Sequence, residues 1–379
     1  MGPHSRGSVL EKQVGQNKVE QIGAFSGLAC DSRAVKPGYL FAALPGTRAD
    51  GRAFIADAVR RGAVAVLGRP EAKAEAEALG VRFIADENPR ARLAHFAAAF
   101  FGAQPATIAA VTGTNGKTSV AVFLRQIWAQ LGYPAASMGT TGVVAPSGTR
   151  TLSHTTPDPI EVHRLLAELA HEGVDHLALE ASSHGLDQHR LDGVRIDAAG
   201  FTNITRDHLD YHADFAAYLE AKLRLFSERT QKGGVAVVNA DAEHAEDFVA
   251  AARGLRTLTV GERGETLKLV ARAPRDDRQD LVVLYDGQTY DVALPLAGGF
   301  QASNALVAAG LAIGLGDPAA KVFAALSHLK GAAGRLEKIA AAKTGAPVYV
   351  DYAHTPDALQ TVLVALRPHA AGRLHVVFG

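Results

Sequence analysis

The densest chemistry in the chain lies in TGTNGKTS, Thr112–Ser119, which follows the apolar run TIAAV and precedes a helical pattern bearing Val122, Phe123 and Ile127. Strand, glycine turn and helix form the setting a phosphate loop needs. Gly113 and Gly116 allow a tight turn, so that successive N–H groups converge on phosphate oxygens while the helix N-terminus adds partial positive charge. Lys117 can then reach the β- and γ-phosphates, and the Thr118 hydroxyl can ligate Mg²⁺. The candidate nucleotide-phosphate site is Gly113, Thr114, Asn115, Gly116, Lys117, Thr118 and Ser119. Its spacing departs from the common loop, because only two residues separate the glycines and Val111 stands where the first glycine would be.

Three further segments carry donors. VDHLALE ends in Glu180, and a carboxylate at the carboxyl end of a strand beside the loop is placed to hold Mg²⁺ directly or through water. Ser182 and Ser183 follow it, but no G-x-S-x-G elbow surrounds them, which argues against hydrolysis. FTNITRDHLDYH offers His208 as a ligand or orienter near Mg²⁺, or else a helix-capping Asp207 among surface histidines. Neither HExxH nor CxxC spacing points to zinc. In DFAAYLEAKLRLFSER, a wheel at about 100° per residue puts Tyr218, Leu219, Leu223, Leu225 and Phe226 on one arc with Lys222 near its middle, while Glu220, Arg224 and Glu228 lie opposite. A lysine there snorkels, pairs with a carboxylate, or loses its proton through desolvation. A neutral amine captures CO₂, and the carbamate is a hard-oxygen ligand suited to Mg²⁺.

The elements that must position these groups are α/β in pattern. Short apolar runs (YLFAAL, AVAVL, VRFIA) alternate with Ala-rich helical stretches up to Phe101, and GAQPA marks a boundary before TIAAVTG. Strands are expected near VDHLALEAS, RIDAAGFTN and GGVAVVNA, a β-prone stretch over 267–296, and a helix from about Phe300 to Leu315. VYVDYA, the helix TPDALQTVLVALRP and LHVVFG then read as strand, helix, strand. The expected domains are 21–104, 105–335 and the beginning of a third at 336–379, with residues 1–20 loose or cloning-derived. The chain of 379 residues is thus expected to stop just inside that third domain. With 47% hydrophobic and 21% charged residues it can bury a large interior, which excludes disorder for most of it. Lys plus Arg and Asp plus Glu both total 39, so no overall field attracts nucleic acid or an anionic membrane. The single Cys30 excludes an intramolecular disulfide, and no apolar run is long enough to span a bilayer, so a reducing cytosol is expected. A monomer is expected as well.

In order and spacing, TGTNGKTS, EASSHGLDQHR, FTNITRDHLDYH, AKLRLF, GRLE and DYAHTPDAL resemble the Mur ligases, ATP-dependent amide-bond enzymes of peptidoglycan synthesis, and within them the MurE type. The resemblance implies a small N-terminal UDP-binding α/β domain, a central P-loop ATPase domain and a Rossmann-like C-terminal domain. It implies ATP and Mg²⁺, and addition of a diamino acid, meso-diaminopimelate or L-lysine, to UDP-N-acetylmuramoyl-L-alanyl-D-glutamate. By it, Ser32, Thr47, Arg48 and Ala49 are uridine-diphosphate contacts. Thr155, Thr156, Ser182, Gln188 and Arg190 contact substrate, and His154 stands where such proteins often carry Asn. Lys222 is the carbamylated lysine, Glu180 and His208 belong to the Mg²⁺ neighbourhood, Asn304 contacts adenine, and Arg335 and Asp351 close on phosphates and ribose. A MurF-type ligase or folylpolyglutamate synthetase shares loop and lysine. A GTPase-like module lacks support, since no NKxD element is present, and the early stop admits a fragment that binds nucleotide but turns over poorly.

Overall fold

The computed structural model describes residues 25–46, 50–205 and 211–378. The chain divides into two compact units. The first holds residues up to Gln104 together with Asp158–Glu168 and Gln188–Val194. Its sheet is parallel, in the order β1 (Gly27–Ala29), β2 (Tyr39–Ala42), β3 (Ala65–Gly68), β4 (Arg82–Ala85). Successive side chains of β2 point to opposite faces, as a pleated strand requires. Leu40 and Ala42 pack under the helix Pro89–Phe101 with Leu93, Phe96 and Ala97, whereas Phe41 joins Ile55, Ala58 and Val66 on the other side. Asn88 caps that helix, accepting from the Ala91 N–H at 3.1 Å, and Pro89 occupies its first turn.

This unit contains a buried histidine with a consequence for stability. The carbonyl of Asp192 can only accept, so His163 Nε2 carries the proton and donates at 2.9 Å, leaving Nδ1 buried without a partner. Desolvation, helped by His95 and opposed by Asp192, pushes the imidazole down from 6.5 to about 4. A depressed histidine contributes stability that is complete above its unfolded pKa and is lost as pH falls from 6.5 toward 4. We expect acidification across that window to cost the wild type about 3 kcal/mol more than His163→Gln. Urea denaturation of both proteins at several pH values checks this, and parallel pH profiles would contradict it.

The second unit is built on an eleven-stranded sheet. In chain order its strands are β5 (Thr107–Thr112), β6 (Ala135–Gly139), β7 (Gly142–Ala145), β8 (Gly148–Arg150), β9 (His176–Glu180), β10 (Ile196–Phe201), β11 (Thr230–Asn239), β12 (Arg256–Gly261), β13 (Leu267–Pro274), β14 (Gln279–Tyr285) and β15 (Gln288–Leu294). Across the sheet they run β15-β14-β13-β12-β11-β10-β5-β9-β6-β7-β8. The stretch from β13 to β6 is parallel and both edges are antiparallel. Strand β5 lies inside this parallel region, so Ile108 to Val111 are all fully buried and read as an unbroken apolar run. The helices Lys117–Leu131 and Gly299–Gly314 contribute Phe123, Trp128, Leu306 and Leu311 to one core with the sheet. Trp128 satisfies its indole N–H on Asp317 Oδ2 at 3.0 Å.

A short antiparallel pair, β16 (Glu337–Ala341) with β17 (Pro347–Val350), precedes the helix Pro356–Leu366. Thr355 caps this helix through the Ala358 N–H at 3.2 Å. The expected final strand LHVVFG does not form: its described residues, Leu374–Phe378, carry no regular structure, and Val377 and Phe378 are largely exposed. An apolar run becomes a strand only when a neighbour takes up its N–H and C=O groups, and β16 and β17 pair only with each other. No helix among the described residues is long and apolar enough to cross a membrane.

Candidate active site

Strands β5, β9 and β10 end side by side, with Val111 opposite Glu180 and Thr112 opposite Phe201. That carboxyl edge is where an open parallel sheet binds ligands. The chain leaves β5 through Gly113 at φ +151° and Gly116 at φ +88°, which starts the helix Lys117–Leu131. A Cβ at Gly113 would lie 1.9 Å from Thr202 Oγ1, and one at Gly116 would lie 2.4 Å from Asn304 Oδ1. Neither position admits a side chain.

The loop is fastened from several directions. Thr114 N–H donates to the Asn203 carbonyl at 2.8 Å and Asn115 N–H to Asn203 Oδ1 at 3.1 Å. Thr202 Oγ1 donates to the Asn115 carbonyl at 2.6 Å, and Thr114 Oγ1 meets Tyr218 Oη at 2.9 Å. Thr118 and Ser119 are buried in the first helical turn.

Two cations meet at this loop. Lys117 Nζ curls back to donate to the carbonyls of Gly113 and Thr114, both at 2.8 Å. Lys222 Nζ donates to the same Gly113 carbonyl at 2.8 Å. Lys222 is only 1% exposed and sits 4.5 Å from the centre of the Tyr218 ring. The helix Phe215–Arg224 places it there, with Tyr218, Ala221 and Lys222 on its buried face and Glu220 exposed. Capping by Asp214, which accepts from the Ala217 N–H at 2.9 Å, fixes where that helix begins.

Glu180 ends β9 at 3% exposure. Its Oε1 accepts from the Thr140 N–H at 2.7 Å and its Oε2 from Thr140 Oγ1 at 3.2 Å. Thr140 Oγ1 lies 3.0 Å from Thr155 Oγ1. Thr156 Oγ1 donates to the Glu180 carbonyl at 3.0 Å and accepts from Ser182 Oγ at 3.0 Å. Glu180, Thr155, Thr156 and Ser182 therefore form one hydrogen-bonded group. His154 is exposed and bonded to Ser153.

Asn304 reaches the loop on one side and Gln301 Oε1 on the other, at 3.3 Å, while Gln301 Nε2 donates to the Arg335 carbonyl at 3.0 Å. The Arg335 guanidinium lies 4.8 Å over the Tyr352 ring. Asp351 has both oxygens engaged by backbone, Oδ2 by Leu336 N–H at 2.7 Å and Oδ1 by Ala353 N–H at 2.8 Å.

In the first unit the buried Ser32 hydrogen-bonds Asp57, and this bond, with Arg61, holds the Asp57 carboxyl below the usual range. Gln188 Oε1 accepts from Arg190 Nη2 at 2.9 Å. Thr47, Arg48, Ala49 and His208 lie outside the described residues. Sequence reasoning missed Thr140, Thr202, Asn203, Tyr218 and Gln301. All but Thr140 lie in segments it had flagged for other reasons.

A buried carboxylate, a helix-start hydroxyl and two lysine amines are thus gathered at the carboxyl edge of the parallel strands. Among family descriptions, the Mur ligase middle domain matches residues 111–312, the Mur ligase family catalytic domain 24–101, and the Mur ligase glutamate ligase domain 334–379. The chain belongs to the Mur ligase family, whose members are ATP-dependent ligases. It is 56% identical over 360 residues to the UDP-N-acetylmuramoyl-L-alanyl-D-glutamate--2,6-diaminopimelate ligase of Bradyrhizobium diazoefficiens, covering 93% of this chain and 73% of that protein. To the ligase of the same name from Caulobacter vibrioides it is 55% identical, with 93% and 74% covered. A solved structure of such a ligase superposes with a TM-score of 0.80 at 32% identity, covering 92% of this chain and 71% of that one. A MurF structure from Acinetobacter baumannii, at 22% identity and a TM-score of 0.64, shares the fold.

Proposed function

We propose that this chain joins 2,6-diaminopimelate to UDP-N-acetylmuramoyl-L-alanyl-D-glutamate at the expense of ATP. The observation that carries the chemistry is the meeting of Lys117 and Lys222 on the Gly113 carbonyl at the carboxyl edge of the sheet. The identity of the substrates rests on the relatives above.

In the first stage the free side-chain carboxylate of the D-glutamyl residue attacks the γ-phosphorus, and ADP leaves. Lys117 swings from the two loop carbonyls to the phosphates, while the N–H groups at the start of the helix Lys117–Leu131 take up negative charge on the transferring group, those of Thr114 and Asn115 being held by Asn203. In the second stage the amine of the diamino acid attacks the acyl phosphate, which forms the amide and releases phosphate and a proton. Thr155, Thr156 and Ser182 hold the peptide end beside Glu180, and a water-excluding arrangement protects the anhydride. Asn304 would face adenine, and Arg335 and Asp351 the phosphates and ribose.

The residues present suit Mg²⁺. Mg²⁺ characteristically takes one or two protein carboxylates and completes its shell with phosphate and water, and the buried Glu180 at the end of β9 is such a carboxylate. Glu180, the Thr118 hydroxyl, His208 and Lys222 as a carbamate would hold it, and it would neutralise charge on the β- and γ-phosphates.

A binding panel tests the substrate assignment. The chain is expected to bind UDP-N-acetylmuramoyl-L-alanyl-D-glutamate more tightly than the corresponding tripeptide or a folate by calorimetry. Preference for the tripeptide or the folate would overturn it.

A further inference from the structure

Within the first unit, one guanidinium ties together two stretches of chain that local sequence keeps apart. Arg90 stands in the first turn of the helix Pro89–Phe101 and is half-buried. Its Nη1 donates to Gln188 Oε1 at 3.5 Å, and its Nη2 donates to the carbonyl of Pro45. Arg190 donates to the same Gln188 oxygen. With Oε1 facing two guanidiniums, the orientation of the Gln188 amide is settled: Nε2 points away from both arginines as a donor. The neighbouring turn is braced in parallel, since Asn88 Nδ2 meets His189 Nε2 at 2.9 Å and His189 adopts φ +57° with Nδ1 on Asp192 at 3.0 Å.

Gln188 and Arg190 are the residues the resemblance gives as substrate contacts, and Pro45 lies two positions before Thr47, the first of the expected uridine-diphosphate contacts in that segment, so the fork of Arg90 joins the backbone leading to one expected contact segment with a side chain of the other. Only a planar guanidinium reaches two acceptors in fixed directions at once; a lysine ammonium in its place would satisfy one and leave the other to drift. We propose that Arg90 is a positioning residue for the UDP-linked substrate, holding the Pro45 backbone and the Gln188 amide in register. This role rests on the substrate reading given above.

The test compares wild type, Arg90→Lys and Arg90→Ala in their affinity for UDP-N-acetylmuramoyl-L-alanyl-D-glutamate and for ATP, with melting curves as a check on folding. Misplacing binding groups by a fraction of an ångström is costly, so Arg90→Ala is expected to weaken the UDP-substrate roughly tenfold or more while ATP affinity stays within about twofold. Arg90→Lys, which keeps the charge, recovers little of the loss. The pair Arg90→Ala and Gln188→Ala is expected to be non-additive, each change sparing the effect of the other. A merely structural arginine would lower the melting temperature and weaken both ligands together, or neither, and either result overturns the proposal. Wild type that does not bind the UDP-dipeptide overturns the substrate reading and this role with it. Wild type that binds, alongside an Arg90→Ala variant that binds equally well, overturns the role of Arg90 alone.

Discussion

Replacing Lys117 by alanine is expected to cut kcat for amide formation by about 10²–10³-fold, the usual loss when one preorganised charge at a transition state is removed. The lysine begins the helix at the phosphate loop, and its Nζ already occupies the space between the Gly113 and Thr114 carbonyls. Its charge matters most when negative charge spreads over the transferring phosphoryl, so the effect falls on kcat more than on ground-state binding. Affinity for the UDP-dipeptide should stay nearly unchanged. Steady-state rates with calorimetry on the same preparations check both statements, and a variant of equal activity would remove Lys117 from the mechanism.

Lys222→Ala is expected to abolish turnover to a similar extent, for a different reason. The side chain is among the largest fully buried ones, and its removal deletes both a donor to Gly113 and the proposed carbamate. Packing and chemistry separate through two variants. Lys222→Met retains most of the volume, so a loss caused by a cavity alone would be largely restored in it, whereas a loss of ligand oxygen would not. Short carboxylic acids, which return an oxygen donor to the space left in Lys222→Ala, should restore part of the Mg²⁺-dependent rate. Carbon-13 bicarbonate should give a carbamate resonance in wild type that neither variant shows. Full activity of Lys222→Met would make the lysine a packing residue.

These two lysines show how far a linear reading reaches. Lys117 was legible because strand, turn and helix are local, and the glycines at 113 and 116 announce a positive-φ backbone that favours glycine. Lys222 stood out from helical periodicity as a cation in the middle of an apolar arc, which left snorkelling, pairing and deprotonation open, and the structure buries it. Their shared acceptor was not legible, because the Gly113 carbonyl lies 109 positions from Lys222 and no periodicity encodes that contact. The same holds for the grip of Thr202 and Asn203 on Asn115, and for Thr140 beneath Glu180. In each case a short polar residue just past a buried strand finds its partner at the end of a neighbouring strand, the Asn115 carbonyl for Thr202 and Asn203 and the Glu180 carboxylate for Thr140. The α/β alternation, the β-prone stretch at 267–296 and the helix Gly299–Gly314 followed from apolar spacing alone. The terminal LHVVF misled for the converse reason: its pattern is that of a strand, but strand formation is decided by a partner that pattern does not contain.

In the proposed function, this edge of the sheet places a triphosphate against a carboxylate so that the carboxylate becomes phosphorylated. The most direct measurement supplies UDP-N-acetylmuramoyl-L-alanyl-D-glutamate labelled with oxygen-18 in the glutamyl side-chain carboxylate, together with ATP, Mg²⁺ and diaminopimelate, and reads the released phosphate by mass spectrometry. Attack of that carboxylate on the γ-phosphorus predicts one labelled oxygen in each phosphate formed. Phosphate released without label would contradict it.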